Sequence, residues 1–323
     1  MPKVGDHILG VGAESTWGTA VAPTARFEVT SESLALEIER VESTALKASR
    51  RYLSSSGWAA GQKNVTGDVE MEVQSNGMGL WFKNLLGAPT TTTPAGATNR
   101  RKHVFGASTL VDDQSLTFEI VRTDVAGTAH RFVYSGCVID EVSLQSQVGE
   151  FVTASFTVDG RDEAVSAAGA QSASYATSTP LVFTGAAITV GGSSFEAKEF
   201  NLQLTSGRAK ERYVLGDSRK LKQVESELRE ISGSISCDWA GTTAYNRFVN
   251  GTTAAVVAKF ETQAAIESTV KGYLQVTIPV ARFDGETPTG GGEIVEHNLE
   301  FVGLDNGTDN PVEVEIIDLT ASY

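Results

Sequence analysis

Short runs in which apolar and polar residues alternate recur along this chain. "SLALEIE" (33–39) sets Leu34, Leu36 and Ile38 against polar neighbours, and "EFNLQLT" (199–205) does the same with Phe200, Leu202 and Leu204. A period of two buries one side of a strand and leaves the other wet. A second pair of strands follows, "VTGDVEMEV" (65–73) and "ISGSISCDW" (231–239), which align without gaps at an offset of 166 (231 minus 65). Between the first and second strand of each pair lies a polar stretch too long for an ordinary hairpin loop. After each pair comes a short helical segment ending in glycine, "NGMGLWFKNLLG" (76–87) and "TTAYNRFVNG" (242–251). Asn76 and Thr242 are the expected N-caps, and Gly87 and Gly251 the expected stops.

The same phrase also closes each half. "GEFVTASFTVDG" (149–160) is echoed by "GEIVEHNLEFVG" (292–303), at an offset of 143 (292 minus 149). The second copy is therefore shorter by 166 − 143 = 23 residues, and "APTTTTPAGATNR" (88–100) is the expected site of the excess. The Ala- and Ser-rich stretch 162–180 reads as a linker. The expected fold is mainly β: two tandem β-sandwich or barrel domains, each with a short flanking α-helix and a long hairpin loop. Their expected bounds are 1–161 with an N-terminal arm, and 181–323 with a C-terminal arm.

Composition supports a globular, strand-rich chain. Of 323 residues 41% are hydrophobic and 20% charged, and glycine is plentiful at 32. The net charge of −14 disfavours ordinary DNA binding. Cys137 and Cys237 stand far apart and read as small buried apolar residues. The start lacks the apolar core of a signal peptide, and no apolar run is long enough to span a membrane. The expectation is a chain with no membrane anchor, in a reducing compartment or a soluble assembly.

Charge is unevenly placed. The first long stretch, 40–64, holds five basic residues (Arg40, Lys47, Arg50, Arg51, Lys63) against one Glu, with Tyr52, Leu53 and Trp58 among them. The second, 206–230, holds seven basic residues, including Arg208, Lys210, Arg212, Arg219 and Lys220, against five acidic ones. From Phe283 to Tyr323 there is no Lys or Arg and there are ten acids, among them Glu293, Glu296, Glu300, Asp305, Asp309, Glu313 and Glu315. Basic loops and an acidic end suggest head-to-tail attraction, which propagates as a filament rather than closing. On the polar sides of the first copy's strands stand Glu37, Glu39, Asp68, Glu70 and Glu72. The strands should pair and set these carboxylates side by side. A catalytic carboxylate pair is disfavoured because the second copy has Asn201, Gln203, Ser234, Ser236 and Asp238 there. A face that repels polyanions fits better.

Chemical motifs are weak. The four histidines lack ligand spacing, "GVGAES" (10–15) reads as a glycine-rich arm, and "DNGTDN" (305–310) as a turn. No catalytic, cofactor-binding or metal-binding residues are expected, and the chain is expected not to be an enzyme. Trp17, Trp58, Trp81 and Trp239 read as core or subunit-contact anchors.

"GVGAESTWGTAVAPTARFEV" (10–29), "TGDVEMEV", "GMGLWFKNLLG" and "GEFVTASFTVDGR" resemble the major tail tube proteins of long-tailed, non-contractile bacteriophages. The resemblance covers most of 8–161 and recurs more loosely over 181–317. It implies a tail-tube β-sandwich per copy, six such domains per ring, inner sheets joined in a 24-stranded barrel, and rings stacked into a tube. It further implies a negative lumen lined here by Glu37, Glu39, Asp68, Glu70 and Glu72, with Asn201, Gln203, Ser234, Ser236 and Asp238 from the second copy. The long hairpins would reach the neighbouring ring. A duplicated chain would form homotrimeric, pseudo-hexameric rings. The implied partners are further copies of itself, a tape measure protein inside the tube, terminator and distal tail proteins, and genomic DNA in passage during ejection. The implied location is the virion tail, with assembly in the host cytoplasm. A two-domain adhesin or carbohydrate-binding module, and another ring protein of the tail, remain the alternatives.

Overall fold

The computed structural model describes residues 8–46, 48–49, 51–106, 111, 114–167, 175–285, 287–288 and 295–323. The first half runs β1 (Ile8–Ala13), β2 (Ala25–Phe27), β3 (Ser31–Glu32), β4 (Ala35–Glu42), β5 (Trp58–Glu72), α1 (Gly79–Leu86), β6 (Thr90–Thr92), β7 (Arg101–Gly106), β8 (Leu116–Thr123), β9 (Ala129–Gln147), β10 (Thr153–Gly160) and β11 (Asp162–Ala167). The second half runs β12 (Ala186–Val190), β13 (Ser193–Phe195), β14 (Ala197–Thr205), β15 (Glu230–Asp238), α2 (Thr242–Asn250), β16 (Ala254–Glu261), β17 (Tyr273–Gly285), β18 (Glu296–Gly303) and β19 (Glu313–Asp318). Every pairing between these strands is antiparallel, and the fold is mainly β.

The two halves share one pairing scheme. In the outer layer, β2–β1–β8–β9–β11 in the first half matches β13–β12–β16–β17–β19 in the second. In the inner layer, β4–β5–β10–β9 matches β14–β15–β18–β17. β9 and β17 are long enough to serve both layers: their first parts lie in the outer sheet and their last parts in the inner one. The hairpin β6–β7 has no counterpart, which agrees with an excess in the first copy after α1. It pairs with β19 and so clamps the first half to the second.

Between the layers lies one continuous apolar cluster that spans both halves. Trp81 of α1 is fully buried, with ring centroids 5.3 Å from Phe27, 5.5 Å from Phe118 and 4.4 Å from Phe156. In the second half Phe200 takes the central place, 6.1 Å from Phe260 and 6.3 Å from Phe301. Cys137 and Cys237 are free and buried, as read from their isolation in sequence.

Several expectations are corrected. Leu36 faces Val65, and Leu204 faces Ile231. Since Val65 and Ile231 are equivalent, Leu36 matches Leu204 and Leu34 matches Leu202, two residues away from the alignment read in sequence. A shift of two preserves which side of the strand is buried, so it leaves no trace in the alternation. Asn76 does not cap α1, which begins after Met78. Its side chain instead donates to the Thr177 carbonyl and accepts from Arg100 (2.6 Å) and from the Leu319 amide (3.1 Å). Thr242 opens α2 without a side-chain cap bond, whereas Gly87 and Gly251 do follow the last helical residues. Residues 10–13 are no arm: they pair in β1 between β2 and β8. The linker is also shorter than read, because Asp162–Ala167 pairs with β9, and Thr179 bonds Ser75.

Gly67 and Gly233, aligned in sequence, share a physical reason. A Cβ on Gly67 would lie 2.6 Å from the Leu34 backbone, and one on Gly233 would lie 2.4 Å from the Asn201 carbonyl oxygen. Backbone cannot yield as a side-chain tip can. Gly233→Ala is therefore expected to cost about 1–3 kcal/mol, read as a shifted urea midpoint with unchanged strand content by circular dichroism.

Candidate assembly surface

The inner layers do not end at the boundary between the halves. Residues 141–147 of β9 pair with residues 199–205 of β14, from Thr205↔Glu141 to Glu199↔Gln147. One sheet of eight strands results, four from each half, in the order β4–β5–β10–β9–β14–β15–β18–β17. Among the described residues, β4 at one end and Arg282–Gly285 of β17 at the other have no further strand partner.

One side of this sheet is the core and the other is polar. The polar side carries Glu37 and Glu39 on β4, Asp68, Glu70 and Glu72 on β5, and Glu141, Ser143, Gln145 and Gln147 on β9. It continues through Glu199, Asn201 and Gln203 on β14, Ser234, Ser236 and Asp238 on β15, and Glu296, Asn298 and Glu300 on β18. All ten residues read as a polar sheet face thus lie on one side of one sheet. Sequence reasoning missed the β9 members. Their signal was present in "EVSLQSQ" (141–147), which alternates in the same way.

The acids are not set side by side as the sequence suggested. Glu37 faces Asn64, and on β5 each carboxylate faces a hydroxyl residue of β10. Glu70 lies between Ser31 and Ser155, and Glu72 faces Thr153. Ser31 donates to Glu70 (2.8 Å), and Thr157 donates to Asp68 (2.7 Å). On β5 cross-strand hydroxyls replace the like-charge opposition that would weaken the ladder, whereas in the second half Asp238 faces Glu296 and Asp284 faces Glu300. Two cations stand at the second half's end of this face. Lys198 bridges Asp238 (2.5 Å) and Glu296 (3.0 Å), and those partners raise its ammonium above the usual lysine value. Arg282 pairs with Asp284 at 2.8 Å.

The long loops differ sharply. Of the first, Lys47 and Arg50 lie outside the described residues. Arg40, Arg51, Tyr52 and Trp58 are exposed, Tyr52 to 88%, while Lys63 is tied to Asp162 at 3.0 Å. The second loop does not project. It folds back across the first half, past β9 and β10 to the base of β5, where Lys63 N donates to the Ser218 carbonyl and the Tyr213 hydroxyl to the Lys63 carbonyl. Arg208 is buried, donating to the carbonyl oxygens of Ile139, Asn84 and Val111. Lys220 is fully buried against Asp159 at 2.5 Å. Lys210 pairs with Asp140, Arg212 donates to the Lys222 carbonyl, and Arg219 pairs with Asp217 at 3.1 Å. That last contact draws Asp217 down to about 2. Arg208 and Lys220, read as basic residues of a reaching hairpin, are thus internal fasteners.

Nor do the C-terminal acids form one face. Glu293 lies outside the described residues. Glu296 and Glu300 belong to the polar side of the sheet, and Asp305 and Asp309 sit in an exposed, self-bonded turn. Glu313 and Glu315 are on β19 in the outer layer, where Glu315 is buried against Tyr273 and Lys102. Sequence counts net charge along a segment, but its strands go to different layers, β18 to the inner and β19 to the outer.

No helix of the described residues is long and apolar enough to cross a membrane, and they hold no cluster of three or more His, Cys, Asp or Glu placed to bind a metal. No curated protein matches the chain at a significant level. A family model described as "Phage tail tube protein" does match it, over residues 6–303, and the chain belongs to that family of structural virion proteins, which assemble with themselves into the tube of a phage tail.

Proposed function

We propose that three copies of this chain close their eight-stranded sheets edge to edge into one ring of 24 strands, 3 × 8, with the polar side inward. The halves then act as two domains of a pseudo-hexamer, and stacked rings make the tail tube. The observation that carries this reading is the continuous sheet itself. One junction between half-chains, β9 with β14, is already made within the chain, and the two outermost strands are left without partners. Closing the ring removes these edges, which would otherwise recruit strands indiscriminately.

The lumen would be lined by Glu37, Glu39, Asp68, Glu70, Glu72 and Asp238, diluted by Asn201, Gln203, Ser234 and Ser236. Glu141, Glu199, Glu296 and Glu300, on the same side of the sheet, would line it too. A wall of this composition lets DNA slide, since phosphates find few cations to neutralise them. The role is structural and non-catalytic. A tape measure protein would occupy the lumen before DNA, with terminator and distal proteins at the tube ends, after assembly in the host cytoplasm.

Negative-stain electron microscopy of the purified chain tests the proposal, with native mass spectrometry of disassembled rings. Tubes or rings with a central hole and three chains per ring are expected. Monomers that persist under every assembly condition, or rings of six chains, would count against it.

A further inference from the structure

Arg208 and Arg40 hold the same place in the two halves. With Leu204 equivalent to Leu36, the offset along these strands is 168 (204 minus 36), and it carries Arg208 onto Arg40. Their surroundings are opposite. Arg208 is buried and donates to Asn84 O (2.9 Å) in the last turn of α1, as well as to Ile139 O and Val111 O (3.0 Å each). Helix carbonyls in a last turn lack partners within the helix, and the negative end of the dipole attracts a cation. Arg40 is exposed, with its guanidinium 5.5 Å from the ring of Trp58 in its own hairpin.

The two helices differ in the reverse sense. α1 has seven buried residues, partly because the second loop lies over it; α2 has none, and Val249 in its last turn is 56% exposed. Matched at their terminal glycines, Lys83 of α1 corresponds to Arg247 of α2, and Asn84 to Phe248. The Arg247 and Phe248 carbonyls accept from the capping amides of Thr252 and Gly251, and each keeps a second lone pair for a further donor. Lys83 coexists with Arg208 on α1, so a basic residue beside the helix end does not bar a second cation. One arginine–helix contact is thus made inside the chain, while among the described residues no arginine from outside the helix reaches the glycine-capped end of α2.

The intrachain junction also says where they meet. Thr205↔Glu141 and Leu204↔Val142, carried over by the offsets of 168 and 143, become Glu37↔Asp284 and Leu36↔Gly285 between two chains. The same step brings Arg40 to α2. We infer that Arg40 of one chain seats on the C-terminal carbonyls of α2 in the neighbouring chain of the same ring. The loop 40–64 then lies across that neighbour's second half, as 206–230 lies across the first half of its own chain. This rests on the ring reading above, and it assigns the first loop to a contact within a ring rather than to the next ring.

A double variant, Arg40→Cys with Val249→Cys, treated with a short bismaleimide after assembly, tests it. Closed covalent trimers on denaturing gels are expected, with no cross-link in either single variant. Arg40→Ala should leave monomer melting unchanged yet raise the concentration needed for assembly about ten-fold or more. Tubes without cross-links, cross-linked chains longer than three, or unimpaired Arg40→Ala assembly would overturn it. If the parent chain forms no rings, the ring reading fails first, and this inference with it.

Discussion

Replacing Lys220 with methionine will destabilise the fold by about 3–5 kcal/mol, measured by urea unfolding near neutral pH. The ammonium is fully buried, 2.5 Å from a carboxylate that is itself almost fully buried, and Gln223 makes the other close bond to that carboxylate. Removing the cation leaves the anion of Asp159 in a low-dielectric site, which costs more than the pair contributed. Converting both partners, Lys220→Met with Asp159→Leu, should recover most of the loss, because neither charge then remains. The single variant should also respond to pH with a defined sign. Burial holds the Asp159 carboxyl above the usual carboxylate range even against the pull of Lys220. Without Lys220 it rises further, so the folded variant binds a proton that the unfolded chain releases. A raised folded-state value gives stability that is present below the unfolded value and lost as pH rises. The deficit relative to the parent chain should be smallest below about pH 4 and grow towards neutrality. A deficit independent of pH would show that Asp159 never carries the unpaired charge.

Trp81→Ala should cost a comparable amount, about 3–5 kcal/mol. The indole is fully buried and meets three phenylalanines contributed by β2, β8 and β10, so no single neighbour can collapse into the space. Tyr245 takes the matching place on α2 but is only half-buried. Tyr245→Ala should therefore cost less than about 1 kcal/mol in the isolated chain. The contrast checks the asymmetry between the helices by the same urea midpoints. Equal losses at the two sites would contradict it.

Much of the inner sheet was legible in the sequence. Leu34, Leu36 and Ile38 against Glu37 and Glu39, and Val65, Val69 and Met71 against Asp68, Glu70 and Glu72, assign each residue to a side by parity alone. Gly67 and Gly233 were visible as a repeated letter, and only the approach of backbone at 2.6 and 2.4 Å supplied the reason. The exact register of β4 against β14 was not legible, because sliding by two residues preserves parity. Nor was the fate of the loops. Arg208 and Lys220 look like surface cations in sequence, and their acceptors, Asn84 O and Asp159, lie in the other half of the chain.

Alternation, glycine placement and the repeated phrase therefore determined by themselves that this chain is a doubled, strand-rich unit whose strands have one polar side, acidic in the first copy. These are local properties, fixed by the strand period and by which residues tolerate water. The tertiary structure alone decided that the halves share a single sheet through β9 and β14, that the second loop is bound inward while most described residues of the first are exposed, and that α1 is buried and α2 only partly so. Such contacts join residues far apart in sequence, and their energy depends on burial and on complementary charge at a distance. No pattern of neighbouring letters records those quantities.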